Sequence, residues 1–569
     1  MRSLSVALCV GLVTLWGCGD AAQQAAPATS IPANAIRGFS QDDVEGAPAP
    51  EASSVVDSPA AEAPAWSAPS PHPTAPQESQ PPEFNTEAYD SIEESRFLTV
   101  QESPFSTFGI DVDTASYSNV RRFLTNGSLP PTGAVRIEEL INYFPYQYTP
   151  PQGPEPFAMN AEVAACPWRP EHRLVRVGLK GKVMEYGERP ACQLVFLVDV
   201  SGSMAGENRL PLVIRSLSAL VASLDEQDQI AIVTYAGSSG VALPSTSARQ
   251  KHTLISAIES LRSGGSTNGA GGIVAAYQLA RQNFIEHGVN RVILCTDGDF
   301  NVGVTDASSL VELIQKEAQS GVYLSVLGFG MGNYQDARME QLADKGNGNY
   351  AYIDGYAEAR KVLVEQMAGT LVTIAKDVKI QVEFNPAQVQ AYRLIGYENR
   401  ALATQDFRND KKDAGEIGAG HTVTALYQVV PQGVEFTTPD IPESKYQKPS
   451  KPTREALAHE LMNVRVRYQP PAGGAATEIE FPIPDSDQRF ERASKDFQFA
   501  SAVAAFGMLL RNSEHKGVAT WEAVSEWAST AVSTDPEGYR QEFLTLVDMA
   551  KRLQTTPVAH RRIRQPIPQ

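Results

Sequence analysis

The chain has 569 residues and carries 48 Lys and Arg against 66 Asp and Glu, a net charge of −18; at about 150 residues per domain it holds several domains. A chain this acidic cannot neutralise a phosphate backbone, which excludes nucleic acid as the expected partner. Its 42% hydrophobic and 8% aromatic residues suffice for buried cores, and past the extreme N-terminus no apolar run approaches the length of a membrane span.

Met1-Arg2-Ser3 precedes an apolar run from Leu4 to Trp16, followed by Gly17-Cys18. One positive charge, an apolar core and a small residue at the cut describe a secretory signal over 1–18. Leu15-Trp16-Gly17-Cys18 resembles the bacterial lipobox, which implies diacylation of Cys18 and a lipid-anchored protein of the cell envelope, the outer membrane being favoured where a cell has two. Residues 19–95 hold 13 Asp or Glu and one basic residue, Arg37, so this stretch carries −12 of the −18. With 12 Pro between Asp20 and Pro82 and few large apolar side chains, it cannot bury enough surface to offset its ordering entropy. It reads as an extended acidic tether.

Folding signals begin near Phe97. Alternation over 105–113 predicts a strand, helical spacing over 115–124 and 137–144 predicts two helices, and 159–165 with 174–179 reads as a strand pair around the turn at 167–170. These make a small α/β module over 96–188, with Asp113 placed to cap its first helix. Over 189–375 the texture changes. Continuous apolar strands at 194–198, 230–234, 292–295, 322–327 and 350–353 alternate with amphipathic helices at 210–224, 251–261, 271–284, 309–318, 335–343 and 357–374. That alternation predicts an α/β fold: a doubly wound, mostly parallel, Rossmann-like sheet covered on both faces. Period-two strands at 378–384, 423–430, 464–468 and 477–481 then predict an antiparallel β-rich domain over 376–486. Helices at 490–510, 521–531 and 539–553 fill a C-terminal region over 487–556, and 557–569 is a basic tail.

Of five Cys, Cys9 leaves with the signal and Cys18 carries the lipid, leaving Cys166, Cys192 and Cys295. Cys295 ends an apolar strand and reads as a buried thiol. Cys166 and Cys192 can pair as a disulfide or remain two separate buried thiols. No Cys/His cluster has zinc-ligand spacing.

The sharpest chemical feature is Leu194-Val-Phe-Leu-Val-Asp199-Val-Ser201-Gly-Ser203. A buried strand delivers an Asp and two hydroxyls to its carboxyl end, the edge at which open α/β sheets bind ligands. Gly264-Gly-Ser-Thr267-Asn-Gly269 and Leu294-Cys-Thr-Asp297-Gly-Asp299 should bring a further hydroxyl and carboxylates to the same edge. Asp199, Ser201, Ser203, Thr267 and Asp297 are hard oxygen donors that suit Mg²⁺, with Mn²⁺ or Ca²⁺ as alternatives. With so few anionic ligands, a divalent ion would keep net positive charge and an open position for a carboxylate from another molecule. Asp297-x-Asp299-x-Asn301 begins like an EF-hand loop, but Val302 stands where glycine is required.

This D-x-S-x-S, Thr, T-D-G-D pattern resembles the metal-ion-dependent adhesion site of the von Willebrand factor type A (VWA) domain, with all five positions filled. Phe108-Gly-Ile-Asp-Val-Asp-Thr-Ala-Ser116, Glu138-Glu-Leu-Ile-Asn-Tyr-Phe144, Cys166-Pro-Trp168 and Leu394-Ile-Gly-Tyr-Glu-Asn-Arg400 resemble the flanking regions of a bacterial VWA lipoprotein family. The resemblance implies an envelope-anchored binding protein whose metal captures an Asp or Glu of a protein partner. The alternative is a scaffold in which the flanking domains bind partners and the metal site is regulatory or silent. No P-loop, zincin or nucleophile-elbow motif is present, and the metal motif supplies ligands without a positioned base, so an enzyme is not expected.

Overall fold

A computed structural model describes residues 87–555 apart from 185–188, 238, 266–268, 299–306, 332–334, 413 and 437–452. The signal over 1–18 with Cys18, residues 19–86 of the tether and the basic tail lie outside the described residues; residues 87–95, expected to belong to the tether, are instead held on the folded body, where Glu87 pairs with Arg122 at 2.9 Å and Glu94 accepts the Ser513 hydroxyl at 2.5 Å.

The central sheet runs in the order Tyr350–Ile353, Val322–Phe329, Val289–Thr296, Cys192–Asp199, Gln229–Tyr235 and Ser239–Ser247. Every pair is parallel except the last, where Ser239–Ser247 adds an antiparallel edge. All eight residues of Cys192–Asp199 are buried. Val195 and Leu197 join one core with Ile273, Ala276 and Leu310, while Leu194, Phe196 and Val198 join the other with Leu217, Leu220 and Leu254. Successive side chains of a strand point to opposite faces, so helices on both faces demand the continuous apolar run seen in the sequence.

The segment over 96–188 does not form a module of its own. Phe157–Cys166 and Arg169–Gly181 pair with each other, and the second pairs with Thr422–Pro431 in continuous register from Thr422 opposite Lys180 to Val429 opposite Arg173. Val389–Ile395 and Leu98–Thr99 complete that sheet. The facing sheet runs Ala401–Leu402, Phe105–Gly109, Thr373–Phe384, Glu460–Gln469 and Thr477–Pro484. Phe108, Val175, Val177, Ile380, Val382, Tyr427 and Val464 fill the space between the sheets. The central domain is therefore inserted into a sandwich assembled from both flanking segments. A two-strand pair alone would leave an apolar face and both edges open; the chain on the far side of the insertion covers that face and pairs the Arg169–Gly181 edge, while Phe157–Cys166 stays the outer strand.

The helices follow the same rule. Ala115–Thr125 and Ile137–Asn142 share a core with Lys495–Arg511, Trp521–Ser529 and Tyr539–Thr555. Phe144 meets Phe499 edge-on at 4.7 Å and Phe506 meets Phe543 at 5.1 Å. Ala115–Thr125 is not capped by Asp113, whose carboxylate instead accepts the backbone N–H of Tyr350 at 2.9 Å. The Ser116 N–H at that helix start is taken by Glu139 at 2.7 Å.

Buried ion pairs fix the inserted domain to its frame. Arg121 contacts Asp354 at 2.6 Å, Glu358 at 2.7 Å and Glu542 at 3.0 Å. Arg136 reaches Glu139, Asp336 and Glu340, and Arg400 reaches Asp111, Asp113, Glu340 and Asp344. The helix expected over 357–374 is shorter and broken. Tyr356–Arg360 passes through a π-turn at Lys361–Glu365 to Met367–Leu371, and Thr373 already begins a strand. The turn brings buried Lys361 to the Tyr143 carbonyl at 2.7 Å. Among the described residues no helix is long and apolar enough to cross a membrane.

Candidate metal site

From Cys192–Asp199 the chain passes to Gln229–Tyr235 on one side and later returns to Val289–Thr296 on the other, so the carboxyl end of this strand is the switch point of the sheet. Asp199 ends the strand and is fully buried. Its Oδ1 accepts the Ser201 N–H at 2.8 Å, an Asx-type turn that folds the loop back. Ser201 Oγ and Ser203 Oγ then lie 3.0 Å apart.

The glycine-rich loop docks on this turn. Gly202 N–H donates to the Gly265 carbonyl at 3.1 Å, and Gly264 N–H donates to the Val200 carbonyl at 2.7 Å. Thr267 follows two residues later and lies outside the described residues, as does Asp299. Asp297 follows the neighbouring strand Val289–Thr296 and is fully buried. The chain turns away at Gly298, whose φ of +99° only glycine adopts without strain. Sequence reasoning did not single out Arg209. Its guanidinium lies 3.8 Å from Asp297 Oδ2 and donates to the carbonyls of Ser203 and Met331.

The buried Asp199 carboxylate is held by neutral groups, the Ser201 N–H and the hydroxyls of Ser201 and Tyr235. Burial pushes the Asp199 carboxyl up to about 6, the Ser201 hydrogen bonds oppose the shift, and Asp297 adds to it. A carboxylate held in this way lacks a positive partner. The donor set of Asp199, Ser201, Ser203 and Asp297 is all oxygen and fits a hard divalent cation, with the two hydroxyls as neutral ligands and the carboxylates as the anionic ones.

A second acidic cluster lies elsewhere. Asp111, Glu139 and Glu340 are buried and offer oxygens within 4.8 Å of one another. Arg136 stands 2.7 Å from Glu139 and 3.0 Å from Glu340, and Arg400 stands 3.1 Å from Glu340. Guanidinium groups already supply positive charge there, so the cluster is an ion-pair joint. Its members come from distant segments, and although Asp111 and Glu139 lie in two of the runs that carry the family resemblance, nothing local joins them to Glu340.

Cys166 and Cys192 do not pair. Both are free, as is Cys295, and they sit in different cores. Burial pushes the Cys166 and Cys192 thiols up to about 12 each. Cys192 Sγ instead accepts Arg189 Nη1 at 2.7 Å.

The sheet order and the loop cluster define a von Willebrand factor type A domain, and residues 193–366 match the model of that domain. Domains of this class mediate protein–protein interaction and typically bind a divalent metal at this edge. Residues 83–176 match a model described as von Willebrand factor, and 369–553 match one described as uncharacterized protein YfbK, C-terminal. Uncharacterized protein YfbK of Escherichia coli strain K12 is 45% identical over 472 residues, covering 82% of this chain and 81% of that one. The chain belongs to the YfbK family of type A domain proteins. Uncharacterized protein sll0103 of Synechocystis is 23% identical over 316 residues, 55% of this chain and 70% of that one. A solved von Willebrand factor type A structure from Catenulispora acidiphila is 15% identical with a TM-score of 0.38, covering 71% of this chain and 91% of that chain.

Proposed function

We propose that this protein is a lipid-anchored binder of the bacterial cell envelope whose type A domain captures an Asp or Glu of a protein partner through a divalent cation. Mg²⁺ is the leading choice of cation, with Mn²⁺ or Ca²⁺ as substitutes. The observation that carries the reading is the convergence of Asp199, Ser201, Ser203 and Asp297 at the switch point, with the buried Asp199 carboxylate held by neutral donors. When bound, the cation supplies an electrophilic position whose natural complement is a carboxylate. This chain's own loops hold that position rigid through the Gly202–Gly265 and Gly264–Val200 hydrogen bonds. The role is recognition rather than catalysis, because the motif brings ligands and no base to the site. Anchoring rests on the lipobox-like run ending in Cys18, and the acidic tether would carry the folded body clear of the bilayer.

One observation favours the scaffold reading as an alternative. The type A domain is locked into the sandwich by Arg121, Arg136 and Arg400 rather than hung on a linker, so the flanking domains present a surface in fixed register with it. A peptide display library selected on the purified protein in Mn²⁺ separates the two. Under the binder reading, recovered peptides share an Asp or Glu, EDTA releases them, and Asp199→Ala retains none. Retention by Asp199→Ala would move the binding function to the flanking domains.

A further inference from the structure

Arg209 occupies the position just before the helix Leu210–Ser223, and its side chain turns back over the metal loop. One nitrogen, Nη1, donates to the Ser203 carbonyl and lies 3.8 Å from Asp297 Oδ2; the other, Nη2, donates to the Met331 carbonyl. The stem runs across Gly330, whose φ is +79° and where a Cβ would sit 2.5 Å from Arg209 Nε and 2.6 Å from its Cγ. A side chain at 330 would therefore collide with the arginine. Only 15% of the Arg209 side chain is exposed, and the two carbonyls leave it little room to swing out. The site thus contains a fixed positive charge beside one of its carboxylates, next to a helix N-terminus that adds positive potential of its own.

We propose that Arg209 is the resident counter-charge of this site. It offsets the Asp199–Asp297 pair when no cation is present and lowers the affinity for a divalent cation by repulsion across a short, partly desolvated distance. An incoming carboxylate cancels part of that repulsion, so cation and acidic ligand bind with positive coupling, each strengthening the other. The site then fills when a partner arrives and stays weakly occupied otherwise. The inference rests on the reading of these loops as a divalent-cation site.

The test is the equilibrium affinity for Mn²⁺ alone, by isothermal titration and by the loss of the free-ion electron paramagnetic resonance signal. Wild type is compared with Arg209→Gln, Arg209→Met, Arg209→Lys and Asp199→Ala, and each fold is checked by circular dichroism in EDTA. The two neutral variants should bind Mn²⁺ about tenfold tighter than wild type, while the lysine variant stays within about threefold of it. Loss of the Ser203 and Met331 hydrogen bonds would by itself loosen the loops and weaken binding, so tightening has no purely structural explanation. Neutral variants that bind Mn²⁺ equally or more weakly would overturn the proposal while leaving the cation site intact. Absence of Mn²⁺ binding in wild type and all Arg209 variants would instead overturn the site reading itself.

Discussion

Glu138→Gln is expected to stabilise the folded protein at pH 8 by on the order of 3 kcal/mol and to leave stability unchanged near pH 4.5. Glu138 is 1% exposed, its Oε2 has no hydrogen-bond partner, and burial pushes its carboxyl up to about 8. Glu398 adds to that rise, and Arg511, drawn to Glu398 at 2.9 Å, only partly opposes it. The sign follows from proton counting. Between about 4.5 and about 8 the folded state holds a proton on Glu138 that the unfolded chain has lost, so wild-type stability is full below the unfolded value and falls as pH rises through the folded one. Glutamine mimics the protonated acid at every pH and removes that loss. Burial also pushes His172 and His421 down to about 4 and Lys361 down to about 7, but these act equally in both proteins and cancel in the difference. Urea denaturation of both proteins across this range is the measurement; a variant less stable than wild type at pH 8 would mean that the carboxylate makes a favourable charged interaction.

Arg400→Met is expected to cost about 3–5 kcal/mol at pH 8, the range for stripping a buried charge of its partner. Arg400 lies 2.6 Å from Asp344, 3.1 Å from Glu340, 3.4 Å from Asp113 and 3.5 Å from Asp111. Asp344 and Glu340 ride on the helix Asp336–Lys345 of the type A domain, while Asp111 and Asp113 belong to the frame. One guanidinium therefore joins the two bodies, and methionine keeps an unbranched apolar stem without the charge. Glu340, pushed up to about 8 by burial, can take up a proton as pH falls, so the penalty should shrink toward pH 5. A loss below about 1 kcal/mol at pH 8, the level of a surface pair, would show that the joint does not hold the domain.

The type A domain was legible in the sequence because its physics is local. A strand buried on both faces must be apolar throughout, as Leu194 to Val198 is, and its helices must carry a 3.6-residue stripe. Asp199, Ser201 and Ser203 lie within five residues of one another, so their shared loop follows from chain order alone. What escaped depends on long-range pairing. Nothing near Arg169–Gly181 announces that its partner is Thr422–Pro431, beyond the whole inserted domain. Val389–Ile395 was missed because both faces are covered: Tyr392 and Leu394 enter the sandwich core, and Ile395 enters the helical one. The Ser239–Ser247 edge was hidden by its exposed Ser, Gly and Pro. Asp113 looked like a helix cap, yet the Tyr350 N–H from the inserted domain takes its carboxylate. Arg209 left no motif, since its meaning comes from Met331 and Asp297, each far along the chain.

We propose that the loops around Asp199 hold a divalent cation. Unfolding of the purified protein, in EDTA and then in Mn²⁺ at about 100 times its Kd, tests it beside Asp199→Ala. Occupied sites would add about 2.7 kcal/mol to the folded state of wild type and nothing to that of the variant. An equal gain in both proteins, or none in wild type, would show that these loops hold no cation.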